Sequence, residues 1–172
     1  MPSVNLSVWV GQNFACIRIA GRANFASSPD FKALLDGLAQ MGFGHFIIDL
    51  SECVLMDSTF LGVLAGFGIR LNPQGAPAAR GIELHNATAR VSDLLENLGA
   101  AHLFKLASGA LELPKDVKAS TPEPLNPSHE QITRTCLEAH QTLMSMNPEN
   151  VARFKDVAQF LAEDLKSLEK SS

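Results

Sequence analysis

The side chains best placed to do chemistry are three consecutive polar residues, Asp57, Ser58 and Thr59. They lie between an apolar run and the stretch "FLGVLAGFGIRL". The residues of this stretch are mostly apolar or small, and their pattern predicts a helix. A hydroxyl at a helix start lies beside unpaired backbone N–H groups and the positive end of the helix dipole. A phosphate there would add about two negative charges to an exposed rim without unfolding the domain. Ser58 is therefore a candidate phosphorylation site, and a simple helix cap is the alternative interpretation.

Catalytic and metal-binding motifs are not recognisable elsewhere in the sequence. A GxSxG elbow and a P-loop are absent, and no acid, base or nucleophile has a visible companion. The histidines show no ligand spacing; they are His45, His85, His102, His129 and His140. His140 falls on the apolar stripe of its helix, which favours a packing role. We expect a protein that is not an enzyme and holds no cofactor or metal.

Composition and charge narrow the class of protein. The 172 residues carry a net charge of -4 and no Lys/Arg cluster, which argues against nucleic-acid binding. No apolar run approaches the roughly 20 residues that span a bilayer, and "MPSVNLSVWV" has no export pattern. We therefore expect a cytoplasmic protein without membrane insertion. Cys16, Cys53 and Cys136 have no CxxC spacing, which favours reduced, buried thiols.

The first part of the chain alternates strand and helix patterns. We expect an opening hairpin, then a helix that Ser28 caps and Gly42 ends, then a buried strand "HFIIDL". The full set of predicted strands is 4–10, 14–20, 45–50, 81–86 and 103–107, and the later helices are 58–71 and 87–99. The order β-β-α-β-α-β-α-β predicts an α/β fold with a mixed β-sheet, over about 110 residues.

The rest of the chain divides at a proline-rich stretch. We expect a first domain over 1–110, an extended linker over 111–128 and a helical hairpin over 129–172. Asn147 and Pro148 have the cap and first-turn pattern of the second helix of that hairpin. Two helices alone bury little apolar surface, so the hairpin needs a partner. Folding back on the first domain and forming a homodimer remain open alternatives.

The stretch "IIDLSECVLMDSTFLGVLAGF" resembles the signature of the STAS domain, found in bacterial anti-sigma-factor antagonists and in the cytoplasmic tails of sulfate transporters. The resemblance spans residues 4–107 and includes the apolar strand, the Asp-Ser-Thr triplet and Gly62. It implies that Ser58 is phosphorylated by a partner serine kinase that is also an anti-sigma factor. The unphosphorylated form would bind that kinase and release a sigma factor, which makes the protein a regulator of transcription. The implied partner-binding residues are Arg22, Asn24, Phe25, Asp57, Thr59, Phe60 and Gly62.

Two departures from the family pattern lead to an alternative function. Phe60 replaces a usual glycine, and Arg22 and Asn24 replace two acids. An exposed aromatic at Phe60 would anchor an interface. This favours an unswitched interaction subunit, such as the STAS-like partners of an ABC transporter ATPase. In either case the helices after residue 128 could form a dimer.

Overall fold

The structure is a computed structural model that describes residues 4–72, 81–111 and 119–171. Its strands are β1 (Val4–Val10), β2 (Ala15–Ala23), β3 (His45–Asp49), β4 (Cys53–Met56), β5 (Gly81–His85) and β6 (Lys105–Ala107). Its α-helices are α1 (Ser28–Gln40), α2 (Ser58–Leu71), α3 (Ala89–Asn97), α4 (His129–Met146) and α5 (Pro148–Lys170). Short 3-10 turns precede α1 and β6. The predicted α/β fold with a mixed sheet and a C-terminal helix pair is confirmed.

The sheet has the order β1-β2-β3-β5-β6. β1 and β2 form the predicted antiparallel hairpin, and the remaining pairs are parallel. The short strand β4 was not predicted, because its four residues fall in what the sequence presents as a spacer. β4 pairs with the end of β2, after a register shift between Gly21 and Arg22. This extra pairing brings the start of α2 beside the end of β2.

One face of the sheet carries the apolar core. Phe31 of α1, Phe46 of β3 and Phe60 of α2 are fully buried. The rings of Phe31 and Phe60 stack with centroids 4.3 Å apart. Phe46 meets Phe67 edge to face, at 4.9 Å between centroids. Because aromatic side chains bury large areas, these pairs fix α1 and α2 against the strands.

A part-buried ion pair marks the opposite face. Arg18 and Asp49 are register partners on β2 and β3, and Arg18 Nε lies 2.8 Å from Asp49 Oδ2. The guanidinium also lies over the ring of Trp9, at 5.0 Å from its centroid. Burial raises the pKa of Asp49, but the Ser51 N–H and Arg18 outweigh it and hold that pKa below its usual value. Asp49 is therefore ionised within the fold.

The C-terminal helix pair lies on the chain's own sheet domain. α4 packs against α2 and α1, and α5 packs along α4. At the start of α5, Asn150 is fully buried and donates from Nδ2 to the carbonyls of Leu98 and Leu143, both at 2.9 Å. Arg153 adds a hydrogen bond to the carbonyl of Asn97 at 3.0 Å. Of the two arrangements left open by the sequence, the single chain shows folding back.

Several predicted boundaries are corrected. Ser28 is not the cap of α1: it lies inside the helix, and its hydroxyl donates to the Phe25 carbonyl at 2.7 Å. α3 starts two residues later than predicted, after a side-chain cap from Thr88. Part of the predicted linker, residues 112–118, lies outside the described residues. Beyond it, Ser120 forms an isolated antiparallel bridge with Val8 on β1.

Candidate functional site

The site begins with the cap of α2, which is Asp57. Its Oδ1 accepts from the Phe60 N–H at 2.9 Å, and its Oδ2 accepts from the Phe25 N–H at 2.7 Å. The Asp57 N–H donates to the Ala23 carbonyl at 2.9 Å. One carboxylate thus ties the end of β2 to the start of α2. Ser58 is the first residue of the helix, and its hydroxyl does not cap it.

The carboxylate of Asp57 gives the site its electrostatic character. Burial raises the pKa of Asp57, while the N–H groups of Phe60 and Phe25 and the nearby His140 lower it. The net effect is a pKa above its usual value. A second negative charge on Ser58 would therefore face an acidic group that is already partly desolvated.

The hydroxyl of Ser58 has a partner from the C-terminal helices. Ser58 Oγ lies 3.0 Å from His140 Nε2, and His140 Nδ1 lies 2.7 Å from the Cys136 carbonyl. A carbonyl oxygen only accepts, so Nδ1 carries a hydrogen, and in the neutral imidazole Nε2 then accepts from Ser58. His140 is only 5% exposed and meets the ring of Phe154 at 4.9 Å. The predicted packing role of His140 agrees with these contacts.

The expectation that no nucleophile has a companion is wrong for Ser58. Ser58 and His140 are 82 residues apart and meet only because α4 folds onto α2. A hydroxyl, an imidazole and a group that orients the imidazole are the parts of an activated nucleophile. Here the orienting group is the Cys136 carbonyl, which brings no charge to stabilise an imidazolium, and His140 is buried, so the arrangement favours packing over catalysis. The only sequence signal for this contact was a histidine on an apolar stripe.

The exposed part of the site is the rim at the end of β2. Arg22 is exposed and lies opposite Leu55 of β4 in the sheet register. Phe25 is 51% exposed, although its N–H is held by Asp57. The side chain of Asn24 accepts from the Ala26 N–H at 3.1 Å and caps the 3-10 turn. The three predicted rim residues therefore lie at the end of β2 and in the turn after it, and Phe25 joins them to Asp57.

The other predicted contact residues point away from solvent. Phe60 is 0% exposed, so the expectation of an exposed aromatic anchor is wrong; its ring belongs to the core. Thr59 is buried as well. A Cβ on Gly62 would lie 2.6 Å from the Ala139 carbonyl oxygen, so α4 touches the backbone of α2 there. An apolar helix gives no periodic contrast from which these orientations could be predicted.

Other kinds of site find little support. Within residues 4–72, 81–111 and 119–171 no group of three or more metal-ligating side chains is arranged to hold an ion. A groove of about 290 Å³ runs between α2 and α4, with Lys32, Arg70 and Glu138 among its lining residues. Among the described helices, none has the length and apolar character needed to cross a membrane.

Comparison with known proteins decides the family. The sequence model described as "Mlab, STAS domain" matches residues 10–107, more than half of the chain. The chain belongs to the STAS domain family. The helices α4 and α5 of this STAS protein lie beyond the matched residues. A comparison with curated protein sequences finds no match.

Solved structures show the same fold at low identity. An anti-sigma factor antagonist from Mycobacterium paratuberculosis matches with a TM-score of 0.52 and 16% identity, over 62% of this chain and 88% of its own. The unphosphorylated form of SpoIIAA, an anti-sigma factor antagonist of Bacillus, matches with a TM-score of 0.50 and 19% identity, over 60% and 87%. These likenesses concern the fold of the STAS domain.

Proposed function

We propose that this STAS protein is a non-enzymatic regulatory binding module of the anti-sigma-factor-antagonist kind. A partner serine kinase, which is also an anti-sigma factor, transfers the terminal phosphoryl group of ATP to the Ser58 oxygen, and the hydroxyl proton leaves. The observation that carries the proposal is the position of Ser58. It is the first residue of α2, beside the exposed rim at the end of β2, in a member of the STAS family. We expect the protein and this kinase to interact in the cytoplasm.

The rim supplies the surface that a partner would read. Arg22 offers a positive charge and Phe25 an exposed aromatic ring, two side-chain types that are enriched at protein interfaces. The cap bonds of Asp57 hold the backbone beneath them. A phosphate on Ser58 would place about two negative charges next to that carboxylate. The partner would then face a changed charge pattern at its binding surface, which is the property of a switch.

The proposal is tested by partner capture from the native cells. Tagged full-length protein, Ser58→Ala and the control Ser51→Ala are compared, because Ser51 is exposed and lies outside the site. We expect the wild type to capture a serine kinase and to lose it when ATP is added. Ser58→Ala should keep the kinase in the presence of ATP, and Ser51→Ala should behave as the wild type. Equal release of wild type and Ser58→Ala by ATP would refute the switch.

A second candidate is an unswitched interaction subunit, for example the partner of a transporter ATPase. The observation that favours it is the hydrogen bond of Ser58 to His140, which gives the serine a structural role without any phosphate. In this case the captured protein would be an ATPase subunit. Its amount would be the same with wild type and Ser58→Ala, with or without ATP.

The second candidate includes a dimer through the C-terminal helices. On α5, Phe160 is 70% exposed and Val157 is 45% exposed, so an apolar strip remains at the surface after α5 has packed on α4. Light scattering of Phe160→Glu against Lys155→Glu, an exposed control on the same helix, tests this role. A dimer that becomes a monomer only with Phe160→Glu supports it. A monomer in the wild type excludes it.

A further inference from the structure

The helix α4 covers the part of α2 that contains the proposed switch. Three contacts follow one another along α2: His140 meets Ser58, Cys136 meets Thr59, and Ala139 meets Gly62. At Gly62 the approach is so close that no side chain would fit. A foreign partner that needs this face of α2 therefore finds it occupied by the chain itself.

The contact surface of α4 is mixed in character. Half of its buried residues are polar; the set is Thr133, Thr135, Cys136, Ala139, His140 and Leu143. Two of them, Ala139 and Leu143, belong to the apolar core cluster that also contains the buried side chains of α2. Because stabilisation by burial scales with apolar area, the polar half contributes less to the docking of α4 than apolar side chains would. We therefore expect α4 and α5 to open at a lower free energy than unfolding of the whole domain requires.

A second attachment lies away from the switch, where α5 starts. Asn150 holds the carbonyls of Leu98 and Leu143, and it contacts neither Ser58 nor Gly62 in these bonds. Asn147 packs against Gly99, which has a φ of 71° and no room for a side chain. Weakening this corner would loosen the helix pair and leave the face of α2 chemically intact.

We propose that α4 is an internal competitor for the α2 face, so that a partner or kinase reaches Ser58 only after α4 and α5 have left it. The identity of the competing partner rests on the proposed function. The covering of the α2 face by α4 does not depend on that function. With α4 in place, Ser58 Oγ is engaged by His140 Nε2 at 3.0 Å, so a phosphoryl group on that oxygen would displace the imidazole. A phosphate on Ser58 would also face the carboxylate of Asp57. Phosphorylation therefore prevents α4 from returning.

The native cysteines provide the test. Cys136 lies in the α4 contact, whereas Cys16 and Cys53 are buried in the sheet domain. Alkylation by iodoacetamide, resolved for each cysteine by mass spectrometry, therefore distinguishes opening of α4 from global unfolding. In full-length Asn150→Ala we expect Cys136 to react at least about tenfold faster. Cys16 and Cys53 should keep their rates, and the surface control Lys155→Ala should change none of the three.

Two further variants of the full chain complete the test. Ala139→Leu serves if Asn150→Ala folds poorly. The larger side chain pushes against Gly62 and should likewise raise the alkylation rate of Cys136. A thiol at the switch, from Ser58→Cys, should be protected in the wild-type background and react in step with Cys136 when Asn150→Ala is added. The proposal would be overturned if all three native cysteines were alkylated faster together. Rapid alkylation of the thiol at position 58 in the otherwise wild-type protein would also overturn it.

The phosphate is tested separately, with phosphoserine genetically encoded at position 58. We expect Cys136 to be alkylated at least about tenfold faster than in the serine form, because α4 cannot dock. Equal protection of Cys136 in both forms would overturn the coupling of phosphate to α4. Absence of phosphate in native cells would instead refute the proposed switch and leave the Asn150→Ala result standing.

Discussion

The hydroxyl of Ser58 lies 3.0 Å from the imidazole of His140, which belongs to a helix outside the matched STAS residues. This contact joins the candidate switch to the C-terminal helix pair. The orientation of the imidazole is set by the Cys136 carbonyl, so in the neutral ring the hydrogen bond runs from serine to histidine. The helix pair is therefore a part of the candidate site.

Replacing His140 by alanine should destabilise the protein. The change removes the acceptor of the Ser58 hydroxyl and the edge contact with Phe154 from a buried position. We expect a loss of about 1–3 kcal/mol in the free energy of unfolding, measured with urea. The control is His129→Ala on the exposed start of the same helix, for which we expect less than about 0.5 kcal/mol. Equal effects of the two variants would contradict a structural role for His140.

Two glycines of α2 should respond in opposite directions to alanine. Gly62→Ala places a Cβ 2.6 Å from the Ala139 carbonyl oxygen, so α4 must move, at a cost of about 1–3 kcal/mol. Gly66→Ala meets only Thr142 at an ordinary 3.6 Å, and the better helix propensity should stabilise by up to about 1 kcal/mol. Thermal unfolding measures both. If Gly62→Ala raises the melting temperature as Gly66→Ala does, α4 is not docked as described.

Substitutions of two phenylalanines should distinguish a core residue from a rim residue. Phe60→Ala removes a fully buried ring that stacks on Phe31 and should cost about 3–5 kcal/mol. Phe25→Ala removes a half-exposed ring but keeps the backbone bond to Asp57, so stability should change by less than about 1 kcal/mol. Denaturant unfolding checks the first effect, and partner capture checks whether Phe25→Ala weakens binding. Unchanged capture by Phe25→Ala would remove the rim from the binding surface.

The ion pair of Arg18 with Asp49 should make stability depend on acid pH. The pKa of Asp49 is lower in the folded protein than in the unfolded chain. Its contribution is therefore present above the unfolded pKa of about 3.9 and is lost as pH falls through the lower folded pKa. Between about pH 5 and pH 3, wild type should lose more stability than Asp49→Asn. The exposed Asp156→Asn should follow the wild type; parallel curves for wild type and Asp49→Asn would contradict the effect.

Most of the fold could be predicted from the sequence because its helices and strands have periodic apolar patterns and are bounded by turn and cap residues. The hairpin turn after Val10 and the Asn147-Pro148 start of α5 are local signals, and the structure has both where they were predicted. β4 was missed because a four-residue strand carries too little pattern. Ser28 was mistaken for a cap because Ser27 and Ser28 offer the same chemistry to the backbone.

The candidate site was only partly predictable from the sequence. Asp57 and Ser58 were found because a polar pair before an apolar helix is a local pattern. The burial of Phe60 was not predicted, because nearly every position of α2 is apolar and the sequence does not indicate which face of the helix is buried. The contact between Ser58 and His140 depends on where α4 docks, and an amphipathic stripe states only that a helix needs a partner.

The most direct test of the switch is fragment-mass analysis of the protein isolated from its native cells, during growth and under stress. We expect a phosphate on Ser58 in part of the population, and none on the exposed Ser51. Absence of phosphate from Ser58 under every condition would contradict the proposed function.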